Sequence, residues 1–311
     1  MTLSFWRYAH LALALFSSVF LLLASVTGII LAIDAVQEKT LPYKAEDFNT
    51  ITLGETLSIL KKEYAEITEL SVDYNQFVTL EAIDADGNDV KAYIDPKNGK
   101  TLGTPAKKSE FINWITSLHR SLFLHEAGRF FVGVISFCLL LISISGFVLV
   151  LKRQRGIRNF FSKIIKEYFA QYYHVLLGRL ALIPILIIAL TGTYLSLERF
   201  NFFMGEEKAK PVKTELSDKL KTTSIFNTTL LSDVKKIEFP FTDDPEEYYI
   251  IELKDREIEV NQVTGAVISE KLSPMTAQFV ALSLDLHTGR INGIWAVILA
   301  IACLNILFFI Y

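Results

Sequence analysis

The sequence predicts an integral membrane protein with four transmembrane helices, arranged as two repeats of helix, small soluble α+β module and helix. Two observations predict this class. Four apolar runs of about 20 residues alternate with polar segments, and a helix of that length crosses a hydrocarbon core of about 30 Å. The two halves of the chain also resemble each other, which indicates an internal duplication.

The elements follow in order along the chain. We expect a first transmembrane helix at 1–33, a soluble module at 34–117, a second helix at 118–151, a basic loop at 152–173, a third helix at 174–198, a second module at 199–285 and a fourth helix at 286–311. The first helix has no charged residue from Leu11 to Ile33 and no convincing cleavage site. It is therefore predicted to be a retained signal-anchor.

The distribution of charge predicts the orientation. Six basic residues and one acidic residue lie between 152 and 167, whereas 34–117 has 9 basic and 15 acidic residues and 200–285 has 10 and 16. The positive-inside rule places the N-terminus and the basic loop in the cytosol. Both modules are then periplasmic, in a bacterial inner membrane. A basic segment between two membrane spans is a topology signal and not a nucleic-acid site. We therefore expect the lipid bilayer as a partner and no nucleic acid.

The two soluble segments have matching patterns. The first has a helical pattern at 52–67, followed by alternating strands at 77–103 with turn signals at Asp86-Gly87-Asn88 and Asn98-Gly99. The second ends similarly at 248–270, where VNQVTGAVIS corresponds to IDPKNGKTLG in the first. Each segment is therefore predicted to be a small α+β module.

The first and third helices are also copies of each other. RYAHLALALFSSVFLLLASVTG (7–28) aligns with QYYHVLLGRLALIPILIIALTG (171–192), so His10 and His174 each precede a Thr-Gly pair by 17 and 18 residues. Eighteen residues make five helical turns, which places the His and the Gly on one face. Small residues on that face let another helix or a flat ligand come close to the backbone.

All five histidines flank apolar runs: His10, His119, His125, His174 and His287. A low-spin b-type haem needs two imidazoles facing each other across the iron. No CxxCH motif for covalent haem attachment is present. We expect His10 and His174 to be the axial ligands of one haem iron on the cytosolic side. A second pair near the outer surface would combine His287 with His119 or His125.

Three arginines are candidate partners of haem propionates, because a guanidinium matches a carboxylate in shape and charge. Arg129, Arg179 and Arg290 each follow a glycine and lie three to five residues beyond a histidine. They complete the predicted cofactor-binding set.

The hairpin sequence DPKNGKTLG (95–103) resembles the PepSY domain. Two such modules, bracketed by membrane helices with His-to-Thr-Gly and LHRSLF (118–123) patterns, resemble the PepSY-associated transmembrane family. The LHRSLF pattern favours His119 as the outer ligand. The local match of FLHEAGR to LDLHTGR, around His287, favours His125, and the sequence leaves both open.

The resemblance implies an oxidoreductase of the ferrisiderophore reductase type with two bis-His b-type haems. It would carry electrons from a cytosolic flavoprotein reductase or a quinol to a ferric–siderophore or other iron complex. A flavin is expected only on a separate or missing cytosolic module. The alternative is a non-redox, membrane-anchored PepSY module that binds or regulates a periplasmic peptidase or another partner. Transport is a weaker reading, because only Pro184 interrupts a span.

Overall fold

A computed structural model describes residues 3–84, 86–164, 168–200, 225–242, 244 and 246–310 of the 311-residue chain. The chain divides into two compact units. The helical unit comprises Met1–Lys39, Lys108–Met204 and Phe279–Tyr311, and the sheet unit comprises Thr40–Lys107 and Gly205–Gln278. Both halves of the sequence contribute to each unit.

The α-helices are α1 (Leu3–Lys39), α2 (Leu53–Glu63), α3 (Glu110–Ser121), α4 (His125–Arg153), α5 (Phe169–Arg199), α6 (Ile225–Thr228), α7 (Met275–Thr288) and α8 (Gly293–Ile310). The strands are β1 (Glu66–Val72), β2 (Val78–Ile83), β3 (Asp89–Ile94), β4 (Thr101–Gly103), β5 (Val234–Glu238), β6 (Tyr248–Leu253), β7 (Arg256–Asn261) and β8 (Val267–Leu272).

Among the described residues, helices α1, α4 and α5 are long and apolar enough to cross a membrane. Helices α7 and α8 form a pair bent by 66°, which adds a fourth span if the pair crosses as one. These lengths and compositions confirm the prediction of a multi-pass membrane protein. The helices pack through small and branched side chains, among them Ala181, Ala189 and Ala302, which allow close approach of the backbones.

The helix ends differ from the predicted ones. Helix α1 continues to Lys39 instead of ending at residue 33. The helix predicted at 118–151 is broken, because Leu122 and Phe123 adopt left-handed backbone angles with φ of 50° and 62°. Gly128 permits this tight junction, since a Cβ atom there would overlap the carbonyl oxygen of Ser121.

The fourth predicted helix, 286–311, is also broken. Helix α7 already begins at Met275, inside the segment predicted as the second module, and ends at Thr288. Gly289 follows with φ of 78° before α8 begins at Gly293. The breaks leave His119 and His287 on α3 and α7, ahead of the helices α4 and α8.

The sheet unit contains one antiparallel sheet with the strand order β4-β3-β2-β1-β5-β6-β7-β8. The two predicted modules are therefore not separate, because β1 from the first pairs with β5 from the second. Leu70 lies opposite Ile237 at this seam, and both side chains are fully buried. The segment predicted as helical over 52–67 ends at Glu63, since the following residues, EITELSV, alternate and form β1.

Helix α2 covers one face of this sheet. It begins with a capping box in which Thr52 and Glu55 satisfy each other's backbone N–H groups. Its buried residues Leu53 and Leu60 join a core that includes side chains from both halves of the sheet. The glycines in the predicted turns, such as Gly87 and Gly99, have the positive φ angles that these turns require.

Candidate functional site

The histidines of the helical unit form two pairs. His10 on α1 and His174 on α5 have ring centroids 6.2 Å apart, with ring planes at 86°. His119 on α3 and His287 on α7 have ring centroids 6.3 Å apart, with ring planes at 50°. We call these the inner pair and the outer pair. Each pair takes one histidine from each half of the chain.

The remaining histidine, His125, belongs to neither pair. It is exposed at the first position of α4, with a left-handed φ of 51°. Of the two outer candidates that the sequence left open, His119 is the one that faces His287. The break between helices α3 and α4 is the reason. It places His119 and His125 on separate helices, so their side chains no longer follow one helical pattern.

The spacing within each pair suits a single metal ion. An imidazole nitrogen binds a transition metal at about 2 Å, and the ring centre lies about 1 Å behind that nitrogen. Two imidazoles on opposite sides of one ion therefore have centroids about 6 Å apart, which matches both pairs. In the described part of the chain, no group of three or more His, Cys, Asp or Glu side chains could hold a metal ion. A haem requires only two protein ligands.

Hydroxyl groups hold the outer pair. The hydroxyl of Thr27 lies 2.7 Å from Nδ1 of His119, and that of Thr191 lies 3.1 Å from Nδ1 of His287. Each threonine already donates its one hydroxyl proton to a backbone carbonyl, at Leu23 and Ile187. The threonine oxygen must therefore accept from Nδ1–H, which leaves Nε2 without a proton and able to bind a metal.

The inner pair has one such support. The hydroxyl of Ser145 on α4 lies 2.9 Å from Nδ1 of His10 and donates to the carbonyl of Ile142. The same proton count makes Nδ1 of His10 the donor. The ring of His174 instead packs against Phe309, with centroids 4.8 Å apart.

A glycine follows each of these hydroxyl residues and makes room for the imidazole. A Cβ atom on Gly28 would lie 3.6 Å from Cε1 of His119, one on Gly192 would lie 3.0 Å from Cε1 of His287, and one on Gly146 would lie 3.2 Å from Cε1 of His10. The repeated Thr-Gly motif thus supports the outer histidines. Helices α1 and α5 each supply one inner histidine and, about 25 Å further along the axis, one outer support.

A cavity of about 790 Å³ adjoins the inner pair and is lined by both His10 and His174. This volume lies within the usual range for ligand pockets, about 300–1,000 Å³. Most of the lining is apolar, but four basic side chains border it: Arg7, Lys152, Arg153 and Arg179. The cavity can therefore hold a flat apolar ligand with acidic substituents.

Arg179 is the predicted arginine that borders this cavity. It is buried, and its guanidinium donates to the carbonyls of Phe160 and Ser162. Its Nε is buried without a hydrogen-bond partner among the described residues. A buried donor without an acceptor is costly, and a ligand carboxylate would satisfy it.

The other two predicted arginines lie elsewhere. Arg129 is in the first turn of α4, where it forms an ion pair with Glu126 at 3.2 Å. Arg290 lies in the break between α7 and α8, and its carbonyl accepts a hydrogen bond from Lys39. Neither arginine lines the cavity at the inner pair.

A model of the family described as the PepSY-associated TM region matches residues 6–311. The chain belongs to this PepSY-associated TM family. The predicted family is confirmed, and the match covers both units of the fold. A search of curated proteins found no match to the chain.

For this PepSY-associated TM protein, inspection of the sequence missed some supporting residues. The duplication pointed to Thr27 and Thr191 as repeat positions, but it predicted no contact between these threonines and the outer histidines. Ser145 and Phe309 lie outside the repeated His-to-Thr-Gly segments, so no motif in the sequence points to them. Only the fold brings them to His10 and His174.

Proposed function

We propose that this chain is a transmembrane haem b electron-transfer protein. It takes electrons from a cytosolic donor and reduces ferric iron in a siderophore or related complex on the periplasmic side of a bacterial inner membrane. The donor is a cytosolic flavoprotein reductase or a quinol.

The observation that carries the proposal is the pairing of four histidines at a spacing suited to two bis-imidazole sites, about 6.2 and 6.3 Å between ring centroids. Three of the four have Nδ1 held by a hydroxyl, so Nε2 is available as a ligand. Neutral imidazole with one nitrogen held by a hydrogen bond is the form that binds metals in proteins.

The side chains around each pair have separate tasks. His10 and His174 would hold one haem, and His119 and His287 the other. Arg179 would bind a propionate through its unpaired Nε, while Gly28, Gly146 and Gly192 leave room beside the rings. A bis-imidazole haem supplies one-electron transfer when bound.

The proposed reaction explains why iron would be released. Siderophore oxygen ligands are hard and prefer Fe(III) to Fe(II). Adding one electron converts Fe(III) to Fe(II) and weakens the complex. No acid or base on the protein is needed for this step.

The test is the haem content of the purified full-length chain, measured as the pyridine haemochromogen, together with its visible spectrum before and after dithionite. We expect two b-type haems per chain. His10→Ala and His174→Ala should each lose the inner haem, and His119→Ala and His287→Ala should each lose the outer one.

His125→Ala is the matched control, because His125 lies close in sequence to His119 but belongs to neither pair. It should retain both haems. Well-folded protein without reducible Soret and α bands would overturn the proposal, and so would equal losses in the His119 and His125 variants.

A second candidate function is the non-redox module that binds a partner. Within the described residues, β8 pairs only with β7 and exposes Ile268 and Leu272. An edge strand with exposed apolar side chains can accept an added strand from a partner protein. If this second function is correct, the binding of the partner should be unchanged in all four histidine variants.

A further inference from the structure

Two arginines of the helical unit form ion pairs with a single carboxylate, Glu126, and the charge of a third arginine acts on all three groups. Arg120 lies at the end of α3, Glu126 and Arg129 lie in the first turns of α4, and Arg199 is the last residue of α5. Arg120 is close enough to the other three residues to interact with all their charges. We call these four residues the arginine cluster.

The hydrogen bonds within the cluster leave donors unused. Oε1 of Glu126 accepts from Arg129 at 3.2 Å and from Arg199 at 2.9 Å, and Oε2 accepts from Arg199 Nε at 3.4 Å. A guanidinium has five N–H donors. Arg120 is exposed, so its donors are free to bind a ligand from solvent, whereas Nε of Arg129 is buried without a partner among the described residues.

The charges within the cluster are unbalanced as well. Three guanidiniums and Glu126, together with Glu198, whose charge also acts on Arg199, leave a net charge of about +1, and arginine does not lose its proton in proteins. Arg199 and Glu126 are about half exposed, but Arg129 has only 23% of its side chain exposed, so water screens the repulsion at Arg129 only in part. A further anion would relieve the repulsion and satisfy the unused donors.

We propose that the arginine cluster binds an anion with carboxylate or phosphate oxygens. Guanidinium groups bind such oxygens in pairs, with geometry that matches their planar fork. Apart from a haem propionate, the predicted partner of Arg129, two sources offer this chemistry: a soluble anionic ferric complex and the headgroup of an acidic lipid. The first source deepens the proposed function and rests on it.

The position of the cluster favours the ferric complex. Arg120 directly follows His119, the outer ligand on α3. Arg199 lies eight residues, about 12 Å along α5, beyond Thr191, the hydrogen-bond partner of His287. An anionic complex held by Arg120 and Arg199 would therefore lie at the same end of the helices as the outer pair, where the proposed function requires the electron acceptor.

The experiment uses gallium(III) citrate, an anionic carboxylate complex that cannot be reduced under these conditions. Its binding to the full-length chain in phosphatidylcholine nanodiscs is measured by equilibrium dialysis. We expect saturable binding that weakens with added salt. Arg120→Gln and Arg199→Gln should each weaken it about tenfold.

Two variants serve as controls. Glu126→Gln removes the carboxylate that competes with the anion and should tighten gallium citrate binding about threefold. A general loss of folding would weaken binding in all variants, so tighter binding in Glu126→Gln and weaker binding in the arginine variants would exclude it. Arg158→Gln, in the exposed loop after α4, should leave binding unchanged. Arg129 stays intact, because it belongs to the predicted cofactor-binding set.

A second arm uses nanodiscs that contain phosphatidylglycerol, with bound lipid measured by native mass spectrometry. If lipid is the source, phosphatidylglycerol is retained by the wild type, lost from Arg120→Gln and Arg199→Gln, and competes with gallium citrate. Either pattern supports the anion site and identifies its source.

The proposal is overturned if neither gallium citrate nor phosphatidylglycerol binding depends on Arg120 and Arg199, or if Glu126→Gln weakens binding. It is also overturned if these arginine variants lose haem while the wild type binds neither anion, because the cluster would then serve propionates. Gallium binding needs no electron transfer, so failure of this site and failure of the redox proposal give different results.

Discussion

Thr27 and Thr191 determine which nitrogen of each outer histidine is free. Each hydroxyl donates its proton to a carbonyl one turn earlier in its own helix, so its oxygen can only accept from the imidazole. A residue that is unremarkable in a membrane helix thus sets the tautomer of a side chain 92 or 96 positions away. The two threonines are visible in the sequence, but only the fold shows that each lies within hydrogen-bond distance of a histidine.

Thr191→Val should weaken the outer haem site by about 10–100-fold, the usual effect of removing such a supporting group. The inner site should be unaffected. Haem stoichiometry during titration with limiting haem measures the change. Thr193→Val is the control, because Thr193 is also buried on α5 but donates to the carbonyl of Ala189 and forms no hydrogen bond with a histidine among the described residues. Equal effects of the two substitutions would rule out a specific role for Thr191.

The helices show how small residues and backbone breaks place these side chains. In an unbroken helix over 118–151, the side chains of His119 and His125 would be fixed about 240° apart around one helix axis, because they are six residues apart. The break at Leu122 and Phe123 instead gives His119 its own helix. Both residues are apolar, and neither is Gly or Pro. Gly128, which permits the junction, lies five residues after Phe123, so the sequence does not indicate where the break falls. The choice between the two histidines therefore could not be made from the sequence.

Gly192→Ala should destabilise the helical unit by about 1–3 kcal/mol, the usual effect of overpacking. The added Cβ would lie 2.5 Å from the Ser136 hydroxyl and 3.0 Å from His287 Cε1, so the outer haem should be lost too. Thermal unfolding in detergent and haem content report both effects.

Gly178→Ala, on the same helix, provides the contrast. Its nearest neighbour would be Phe309 at 3.9 Å, an ordinary contact. Alanine is about 1 kcal/mol better than glycine within a helix. We expect no loss of stability and no loss of the outer haem, because Gly178 borders the cavity at the inner pair. A loss equal to that of Gly192→Ala would mean that the close contact beside His287 is not the cause.

For the whole molecule, the sequence predicted the elements better than their association. The apolar runs predicted the membrane helices, and the hairpin motif predicted the strands and the family. The seam between β1 and β5 was not predicted, because alternation identifies a strand and its buried face but not its partner. Leu70 and Ile237 lie 167 residues apart. The same limit applies to the histidine pairs, although the duplication predicted the inner one.

Lys236 stabilises this seam. Glu69 and Glu238 lie directly opposite each other across β1 and β5, and the Lys236 ammonium lies 2.8 and 2.9 Å from them. Hydrogen bonds to these two carboxylates raise the pKa of Lys236 well above its usual value. The resulting stabilisation is complete below about pH 10.4, the ordinary value, and is lost as the pH rises from there through the raised pKa.

Lys236→Met should lower the free energy of unfolding by about 0.5–1 kcal/mol, allowing for partial exposure of the pair. The difference from wild type should stay constant between pH 7 and 10 and decrease above that range. Lys235→Met is the control on the same strand, because its ion pair with Glu252 is more exposed, and it should have a smaller effect. Thermal unfolding across this pH range is the measurement.

The seam also bears on the synthesis of the chain. Strand β1 ends at Val72 and its partner β5 begins at Val234, so at about 5–20 residues per second the ribosome needs about 10–30 s to supply the partner. During that interval one edge of β1 has no partner, and such edges invite pairing with other chains. The charges of Glu66 and Glu69 on β1 discourage premature association. A nascent chain stopped before residue 234 should therefore pair with a second copy more readily when Glu69 is replaced by Val, which crosslinking of stalled chains would detect.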